Sequence, residues 1–178
     1  EGLLFVGGFA HPPNADAVLW FARDIYPKIR EKLEVPFYIV GSKVTEEIQA
    51  LEQPGNGIIV KGFVSEEELS ELYRTCRIVV VPLRYGAGVK GKVIEALYNG
   101  APVVTTSIGA EGIAEAESVM CIKDTPEEFA EETVRIYQNP EALRELSRKT
   151  QNYIRRYYSV EAAWSVVEED FTKETVKR

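Results

Sequence analysis

The feature that most constrains the fold is an alternation of short β-branched runs with longer segments whose apolar residues recur at helical spacing. The predicted strands are Leu3–Val6, Pro36–Val40, Gly57–Lys61, Ile78–Pro82, Pro102–Thr105 and Ser118–Ile122. Several of these runs are apolar on both faces, which is typical of parallel strands covered by helices on both sides. Because a helix follows most of the strands, the chain predicts an α/β fold with right-handed crossovers and a doubly wound parallel sheet of about six strands.

Three segments carry signals for the start of a helix. Asn14 is expected to cap the first helix. Ser65 to Glu68 and Thr125 to Glu128 each match a capping box, in which the cap hydroxyl accepts from the amide three residues later and the carboxylate returns to the cap amide. After the sixth strand the chain is predicted to be entirely helical. The predicted C-terminal helices are Pro126–Gln138, Glu141–Tyr158 and Val160–Thr175.

Composition excludes several functional classes. The formal net charge is -7, which disfavours a polyanionic partner, so nucleic acid is not expected to bind. The longest apolar run, Ile78 to Leu83, is far shorter than the roughly 20 residues that span a bilayer. Cys76 and Cys121 lie among apolar neighbours and are predicted to be buried thiols in a reducing compartment, without a disulfide. With the single histidine, His11, they cannot build a metal site.

The start of the chain carries no targeting signal. Glu1 is not an initiator methionine, and no signal-peptide pattern follows it. The sequence is therefore expected to be a piece of a longer protein.

The loop after the first predicted strand contains Gly7-Gly8 and leads to His11. Ligands of open α/β sheets bind beyond the carboxyl ends of the strands. Two glycines allow close approach of a ligand to the backbone, and the following helix N-terminus offers amides to an anion. The loop lacks the third glycine of a dinucleotide fingerprint, and no acid follows Val40 to bind a ribose, so a nicotinamide dehydrogenase is disfavoured. A plain tight turn is the structural alternative.

A second glycine-rich loop precedes a predicted helix near residue 91. Gly86 and Gly91-Lys92 nearly form a P-loop, but Val93 stands where a hydroxyl must bind Mg²⁺, so nucleotide hydrolysis is disfavoured. Lys90 and Lys92 lie at the start of this helix, where cations oppose the helix dipole unless an anion lies between them. The loop therefore predicts a phosphate site. A flexible loop with solvated lysines is the alternative.

Glu95 is an acid within the otherwise apolar segment Val93 to Leu97. Near the carboxyl edge of a sheet, such a carboxylate is expected to accept hydrogen bonds from the two hydroxyls of a ribose. An exposed helical acid is the alternative interpretation.

Together these segments resemble a known family. The stretch Gly86 to Thr106, with Glu95-Ala96 and Gly100 to Thr106, resembles the donor-binding core of group 1 (family 4) glycosyltransferases, which have the two-domain GT-B fold. Further matches are Phe5–Gly7, Tyr38–Gly41, Val60–Val64, Glu68-Leu69, Leu72-Tyr73 and Val80–Leu83. The likeness runs in unbroken order from about Leu3 to Glu128.

The resemblance implies that the chain is the C-terminal, Rossmann-like half of such an enzyme. Residues 1–158 would form the nucleotide-sugar-binding domain, and the helix in residues 159–178 would pack on an absent N-terminal domain that supplies most of the acceptor site. Glu95 would bind the donor ribose. The other donor-binding residues implied or predicted are Gly86, Gly88, Val89, Gly8 and His11 near the diphosphate, and Gly62, Phe63 and Val64 at the base pocket.

The sequence also departs from the family pattern. Ala87 stands where most members have the first acid of the Glu-x7-Glu motif, and Gly8 and about Pro13 replace an Arg and a Lys that bind the diphosphate. Lys90 and Lys92 are expected to compensate as the catalytic cations that neutralise the departing diphosphate, and Lys92 is the stronger candidate for the phosphate ligand.

The activity that the resemblance implies is transfer of a hexosyl unit, with retention, from a nucleotide-diphosphate sugar such as a UDP-sugar to a glycan or lipid-linked acceptor. No metal or other cofactor is expected, and the isolated fragment is expected to be inactive. A cytoplasmic enzyme of cell-surface polysaccharide biosynthesis is expected, with peripheral membrane association through the missing half left open.

A GT-B sugar-nucleotide epimerase or a degenerate binding module is the main alternative. A flavodoxin-like regulatory module is disfavoured because the first strand lacks the acidic pair of such receivers.

Overall fold

A computed structural model describes residues 1–158 as an α/β domain built on one sheet. The strands are β1 Leu3–Val6, β2 Phe37–Val40, β3 Ile58–Gly62, β4 Ile78–Val81, β5 Val103–Thr105 and β6 Cys121–Ile122. The order across the sheet is β3-β2-β1-β4-β5-β6, and every neighbouring pair is parallel. The predicted doubly wound parallel sheet of six strands is confirmed.

Strand boundaries agree within a few residues, except at β6. Its predicted start at Ser118 is wrong, because Ala116–Ser118 forms a 3-10 turn before the short strand. The predicted helix Val160–Thr175 lies outside the described residues.

Helices connect the strands and cover the two faces of the sheet. They are α1 Pro12–Trp20, α2 Tyr26–Arg30, α3 Glu46–Gln49, α4 Glu66–Thr75, α5 Gly91–Tyr98, α6 Pro126–Tyr137 and α7 Pro140–Tyr158. A π-helical segment, Phe21–Ile25, joins α1 to α2. The α6 helix packs against α2, whereas α7 packs against α5 and α6. Because right-handed crossovers place α2 and α5 on opposite faces of the sheet, the C-terminal helices link the two layers.

The two predicted capping boxes, at Ser65 and Thr125, form different hydrogen bonds. The Ser65 Oγ accepts from the Glu68 amide at 3.2 Å, but the Glu68 carboxylate pairs with Lys61 at 2.6 Å instead of returning to the cap. At α6, the Thr125 Oγ1 accepts from the Glu128 amide at 3.3 Å and donates to the Glu128 carboxylate at 2.9 Å.

The prediction for Asn14 is wrong. The α1 helix already begins at Pro12, with His11 as the residue before it and no side-chain cap. The reason is that proline has a fixed φ suited to the first helical position and lacks the amide that a cap would satisfy.

An aromatic cluster fixes the α1 and α6 layer on the sheet. The ring of Phe21 lies 4.6 Å from Phe37 and 5.8 Å from Phe129, measured between centroids. The Tyr26 hydroxyl donates to the Val35 carbonyl, and burial raises the pKa of Tyr26 to about 12. This packing holds the π-helical segment and α2 against β2. The N-terminus of α1 opens at the carboxyl edge of the sheet because α1 follows β1.

Both cysteines are free thiols. Cys76 is buried and Cys121 is half-buried, and burial raises the pKa of the first to about 11 and of the second to about 12. Neither is therefore a reactive thiolate at neutral pH. Within residues 1–158, no helix combines the length and apolar character that crossing a membrane requires.

Candidate functional site

The site lies where the strand order reverses. Strands β1 and β4 are neighbours, but their following helices α1 and α5 belong to opposite layers. Such a switch point leaves a crevice between two diverging loops at the carboxyl edge. The first turns of α1, at Pro12, and of α5, at Gly91, both open there.

Lys92 places its ammonium inside this crevice. The Nζ donates to Asn14 Oδ1 and lies 4.8 Å from the centroid of the Phe5 ring. A Cβ added to Gly7 would lie 2.6 Å from this Nζ, so the ammonium occupies the space that a side chain at position 7 would take. The crevice thus contains a cation from α5 directly against the backbone at the end of β1.

The electrostatics of Lys92 favour an anion. Burial, together with the neighbouring charge of Lys90, lowers the pKa of Lys92 to about 8. The nearby cations have carboxylate partners, Lys90 with Glu111 and Arg84 with Asp16, but Lys92 has none among residues 1–158. A partly desolvated ammonium without a counter-ion is unfavourable, and a phosphate in the crevice would relieve that cost.

Asn14 is a site residue that the sequence reasoning missed. It is buried, at 6% exposure, and its Nδ2 donates to the Gly8 carbonyl at 2.8 Å while its Oδ1 accepts from Lys92. The signal that could have found it is the pair Pro12-Pro13. These prolines start the helix early and place Asn14 in its first turn instead of before it.

The glycine-rich loop before α5 folds around Lys90. Gly86 and Gly88 have φ values of 118° and 79°, in the left-handed region that favours glycine. The Lys90 Nζ donates to the carbonyls of both glycines and lies 3.3 Å from Glu111 Oε2. Lys90 therefore closes its own loop. Its predicted role as a second phosphate cation stays a prediction.

Both ends of this loop are fastened to α1. At the start, Arg84 binds both carboxylate oxygens of Asp16 and lies 5.3 Å from the centroid of Trp20. In the middle, a Cβ on Gly86 would lie 3.6 Å from Pro13. At the end, the Lys92 ammonium donates to Asn14, so α1 contacts the loop at three points.

The remaining candidates for the donor site are Val89 and the residues of the loop after β1. Val89 is half exposed, and a Cβ on Gly112 would lie 2.6 Å from its Cγ2. The Gly8 carbonyl also accepts from the His11 amide at 3.3 Å. His11 itself is exposed at the start of α1. Gly8 is therefore part of the crevice wall, and His11 is at its rim.

The predicted base-pocket residues lie along the same edge. The Gly62 carbonyl accepts from the Gly41 amide at 2.8 Å, and a Cβ on Gly41 would lie 1.8 Å from the Gly7 carbonyl oxygen. These contacts align the loops after β1, β2 and β3. Phe63 is 83% exposed, and Val64 is half-buried. Phe63 therefore presents a free ring at the end of β3.

Glu95 lies one helical turn beyond Lys92 on α5 and is exposed. Its carboxylate has no hydrogen-bond partner within the described part of the chain. Its charge acts on the buried Tyr73 hydroxyl of α4, whose pKa is raised by burial first and by Glu95 second. Residues three apart on a helix are neighbours on its surface, so Glu95 and Lys92 can contact one extended ligand. The structure does not bring Glu95 into contact with the glycine-rich loop.

Two other clefts lie away from these residues. One, of about 850 Å³, is lined by Arg30, Gly57 and Ile58 at the start of β3. Another, of about 540 Å³, is lined by Ser107, Glu115 and other residues that follow β5. In residues 1–158, no three His, Cys, Asp or Glu side chains cluster as a metal site would require.

Comparisons with known proteins agree with this architecture. The family model described as "Glycosyl transferases group 1" matches residues 1–139. A relative from Klebsiella pneumoniae, described as an uncharacterized 44.6 kDa protein in the cps region, is 28% identical over 172 residues. The match covers 93% of this chain but 44% of the relative, so the chain spans less than half of that protein.

Solved structures show the same fold. TarM from S. aureus, solved in a complex that includes UDP, has a TM-score of 0.75 at 19% identity, over 97% of this chain and 35% of TarM. Sucrose-phosphate synthase from Thermosynechococcus elongatus has a TM-score of 0.73 at 18% identity, over 100% of this chain and 46% of the synthase.

One similar structure is a single domain. The C-terminal domain of LpcC, a glycosyl transferase group 1 family protein from Francisella tularensis, has a TM-score of 0.70 at 15% identity, over 89% of this chain and 87% of that domain. The strand order, the crevice at the switch point and the match of the family model lead to one assignment. The chain belongs to the group 1 family of glycosyltransferases and has the Rossmann-like fold of a GT-B domain.

Proposed function

We propose that this chain is the donor-binding half of a retaining glycosyltransferase, which moves a hexosyl unit from a nucleotide-diphosphate sugar to a glycan or lipid-linked acceptor. The observation that supports this most directly is the half-buried side chain of Lys92, whose ammonium points into the fold. It lies at the switch point, beneath Gly7, with an amide as its polar partner and no carboxylate among the described residues. A diphosphate is the part of the donor that such a cation would bind.

The proposed chemistry is electrostatic. The Lys92 ammonium and the free amides at the N-terminus of α5 would stabilise the charge that develops on the departing diphosphate. Gly86 and Gly88 would let the loop backbone approach the phosphates, and Lys90 would hold that loop closed. The proposal assigns no protein nucleophile and no metal ion to this half.

The nucleoside is proposed to lie across the loops toward β3. The exposed ring of Phe63 would stack on the base, with Gly62 and Val64 beside it. The Glu95 carboxylate, free of side-chain partners in the described residues, would accept from the ribose hydroxyls. UDP is the first nucleotide to test, because TarM and HepE from Anabaena were both solved with UDP.

The rest of the enzyme is proposed to lie outside this chain. An N-terminal domain would supply the acceptor site, residues 159–178 would pack on it, and the isolated chain would be inactive. The name of the Klebsiella relative, which refers to a cps region, supports a role in cell-surface polysaccharide synthesis. The free thiols of Cys76 and Cys121 support a cytoplasmic location, because disulfides are rare in that compartment. Peripheral membrane association through the missing half is part of the same proposal.

The test is thermal unfolding of the full-length protein with UDP, GDP or ADP. At least one nucleotide is expected to raise the Tm, and Lys92→Met is expected to reduce the increase. Lys28→Met is the matched control, because Lys28 pairs with Glu127 on the α2 and α6 layer, away from the crevice. Absence of a Tm increase with all three nucleotides would contradict the proposal.

Ala87 favours a second candidate function. It is exposed in the glycine-rich loop, at the position where the family motif has an acid near the sugar. A GT-B epimerase, or a module that binds a nucleotide sugar without transferring it, would not need that acid for transfer. Formation of a glycosylated acceptor by the full-length protein would exclude both alternatives, whereas release of an epimerised sugar would establish the epimerase.

A further inference from the structure

Asn14 connects two loops of the site through one buried side chain. Its Nδ2 donates to the Gly8 carbonyl at 2.8 Å, and its Oδ1 accepts from the ammonium of Lys92. Asn14 and Lys92 are 78 positions apart in the chain. Both ends of the amide are therefore used, one for the loop after β1 and the other for the first turn of α5.

The neutrality of this side chain matters in an anion site. A carboxylate at position 14 would form a buried ion pair with Lys92 and cancel the charge that an incoming anion would meet. An apolar side chain would leave the ammonium buried without a polar partner. An amide oxygen accepts a hydrogen bond from the ammonium and, being neutral, leaves the positive charge uncompensated.

We propose that Asn14 is a positioning residue, which holds the Lys92 ammonium beneath the Gly7-Gly8 turn with its charge uncompensated, so that the phosphates of a nucleoside diphosphate meet a fixed cation. The inference rests on the proposed function for its ligand. The placement of Lys92 by Asn14 is testable without that ligand.

Within residues 1–158, the other neighbours of the Lys92 ammonium offer it no hydrogen-bond acceptor, so its position depends on Asn14. On one side the ammonium faces the ring of Phe5, and on another it lies against the backbone of Gly7. Lys90 is the charged group that acts on it, and this repulsive neighbour is itself held by loop carbonyls and Glu111. Without the bond to Asn14, desolvation and repulsion both favour movement of the Lys92 ammonium out toward water.

The first measurement is the pKa of Lys92. It is determined by NMR of the lysine side chain in the full-length protein without nucleotide. Asn14→Ala is expected to raise this pKa from about 8 toward 10.5, the ordinary value for lysine, because the ammonium leaves its buried position. Asn14→Asp is expected to raise it as well, because the carboxylate pairs with the ammonium. Asn14→Ser replaces the alanine variant if that variant does not fold.

The second measurement is a double-mutant cycle, read as the Kd of UDP, GDP or ADP, whichever binds most tightly. Asn14→Ala is expected to weaken binding about tenfold, the scale of one charge-assisted hydrogen bond. In a Lys92→Met background, the same change is expected to have no further effect. A purely structural role would instead give equal losses in both backgrounds.

Asn56→Ala is the matched control. Asn56 also bonds to backbone groups, the Leu51 carbonyl at 2.7 Å and the Ile58 amide at 3.0 Å, but it lies at the start of β3. This variant is expected to lose stability without changing the Kd or the pKa of Lys92.

The outcomes separate the two proposals. A Lys92 pKa that stays at its original value or falls in Asn14→Ala would overturn the inference, because Lys92 would then keep its place without Asn14. Equal losses of affinity in the two backgrounds would also overturn it. If the unsubstituted protein bound none of the three nucleotides, the proposed function would fail, and the pKa measurements would still decide what positions Lys92.

Discussion

The ammonium of Lys92 occupies the space beside Gly7 that a side chain would fill. A Cβ at position 7 would lie 2.6 Å from the Nζ of Lys92 and 3.0 Å from Asn14. The absence of a side chain at the end of β1 thus permits a cation from the far side of the switch point to reach the crevice.

Gly7→Ala is therefore expected to displace Lys92 and weaken nucleotide binding about tenfold, the scale of one charged hydrogen bond. The methyl group would also crowd Asn14, and we expect the free energy of unfolding to fall by about 1–3 kcal/mol, as for an overpacked core site. Calorimetric titration and urea unfolding measure the two effects. Lys92→Met should raise the free energy of unfolding more in the Gly7→Ala chain than in the unsubstituted chain, and an equal gain in both would contradict this contact.

Nucleotide affinity is expected to fall as pH rises through about 8. Lys92 must be protonated to bind a phosphate, and burial together with Lys90 lowers its pKa to about 8 from 10.5. A bound anion favours the charged form, so binding above pH 8 should take up a proton. Titrations at several pH values, in buffers of different ionisation enthalpy, measure both effects. In Lys92→Met the proton uptake should disappear.

The lowered pKa of Lys92 also makes the free energy of unfolding depend on pH. Nucleotide affinity is expected to fall as pH rises, whereas the free energy of unfolding is expected to rise. Between about pH 8 and 10.5 the unfolded chain binds more protons at Lys92 than the folded chain does, so the contribution of this residue to the free energy of unfolding rises with pH. The destabilisation by the buried charge is fully present below pH 8. Urea unfolding across this range should show a rise that Lys92→Met removes.

Phe63→Ala is expected to weaken nucleotide binding without loss of stability. The ring is 83% exposed, so its removal should change the free energy of unfolding by less than about 0.5 kcal/mol. If the ring stacks on the base, affinity should fall about tenfold. Tyr98→Ala is the control, because Tyr98 is 74% exposed at the far end of α5 and should change neither quantity. An unchanged Kd in Phe63→Ala would remove this residue from the base pocket.

Glu95→Gln is expected to weaken binding of a ribonucleoside diphosphate about tenfold, because the ribose hydroxyls lose a charged acceptor. The matched comparison uses the 2′,3′-dideoxy form of the same nucleotide. The substitution should have little effect on its binding, since no hydroxyl is present to donate. Equal losses with both nucleotides would place Glu95 away from the ribose.

The sequence by itself determined the strands, their parallel direction and the edge at which a ligand is proposed to bind. An apolar run such as Ile78–Val81 indicates by its own composition a strand that is buried on both faces. A helix between two strands indicates a crossover connection, which makes the two strands parallel. The glycine positions and the two lysines of the loop also indicated an anion site, because the conformation of glycine and the helix dipole act over a few residues.

Only the tertiary structure decided which lysine enters the crevice and what holds it there. The helix dipole acts on Lys90 and Lys92 alike, and it was the family resemblance that favoured Lys92. The fold closes Lys90 onto Gly86 and Glu111 and places Lys92 across the switch point, against Asn14. The physical reason is distance along the chain. A hydrogen bond between residues 78 positions apart depends on the order of the strands and on the packing of α1, which no local pattern contains.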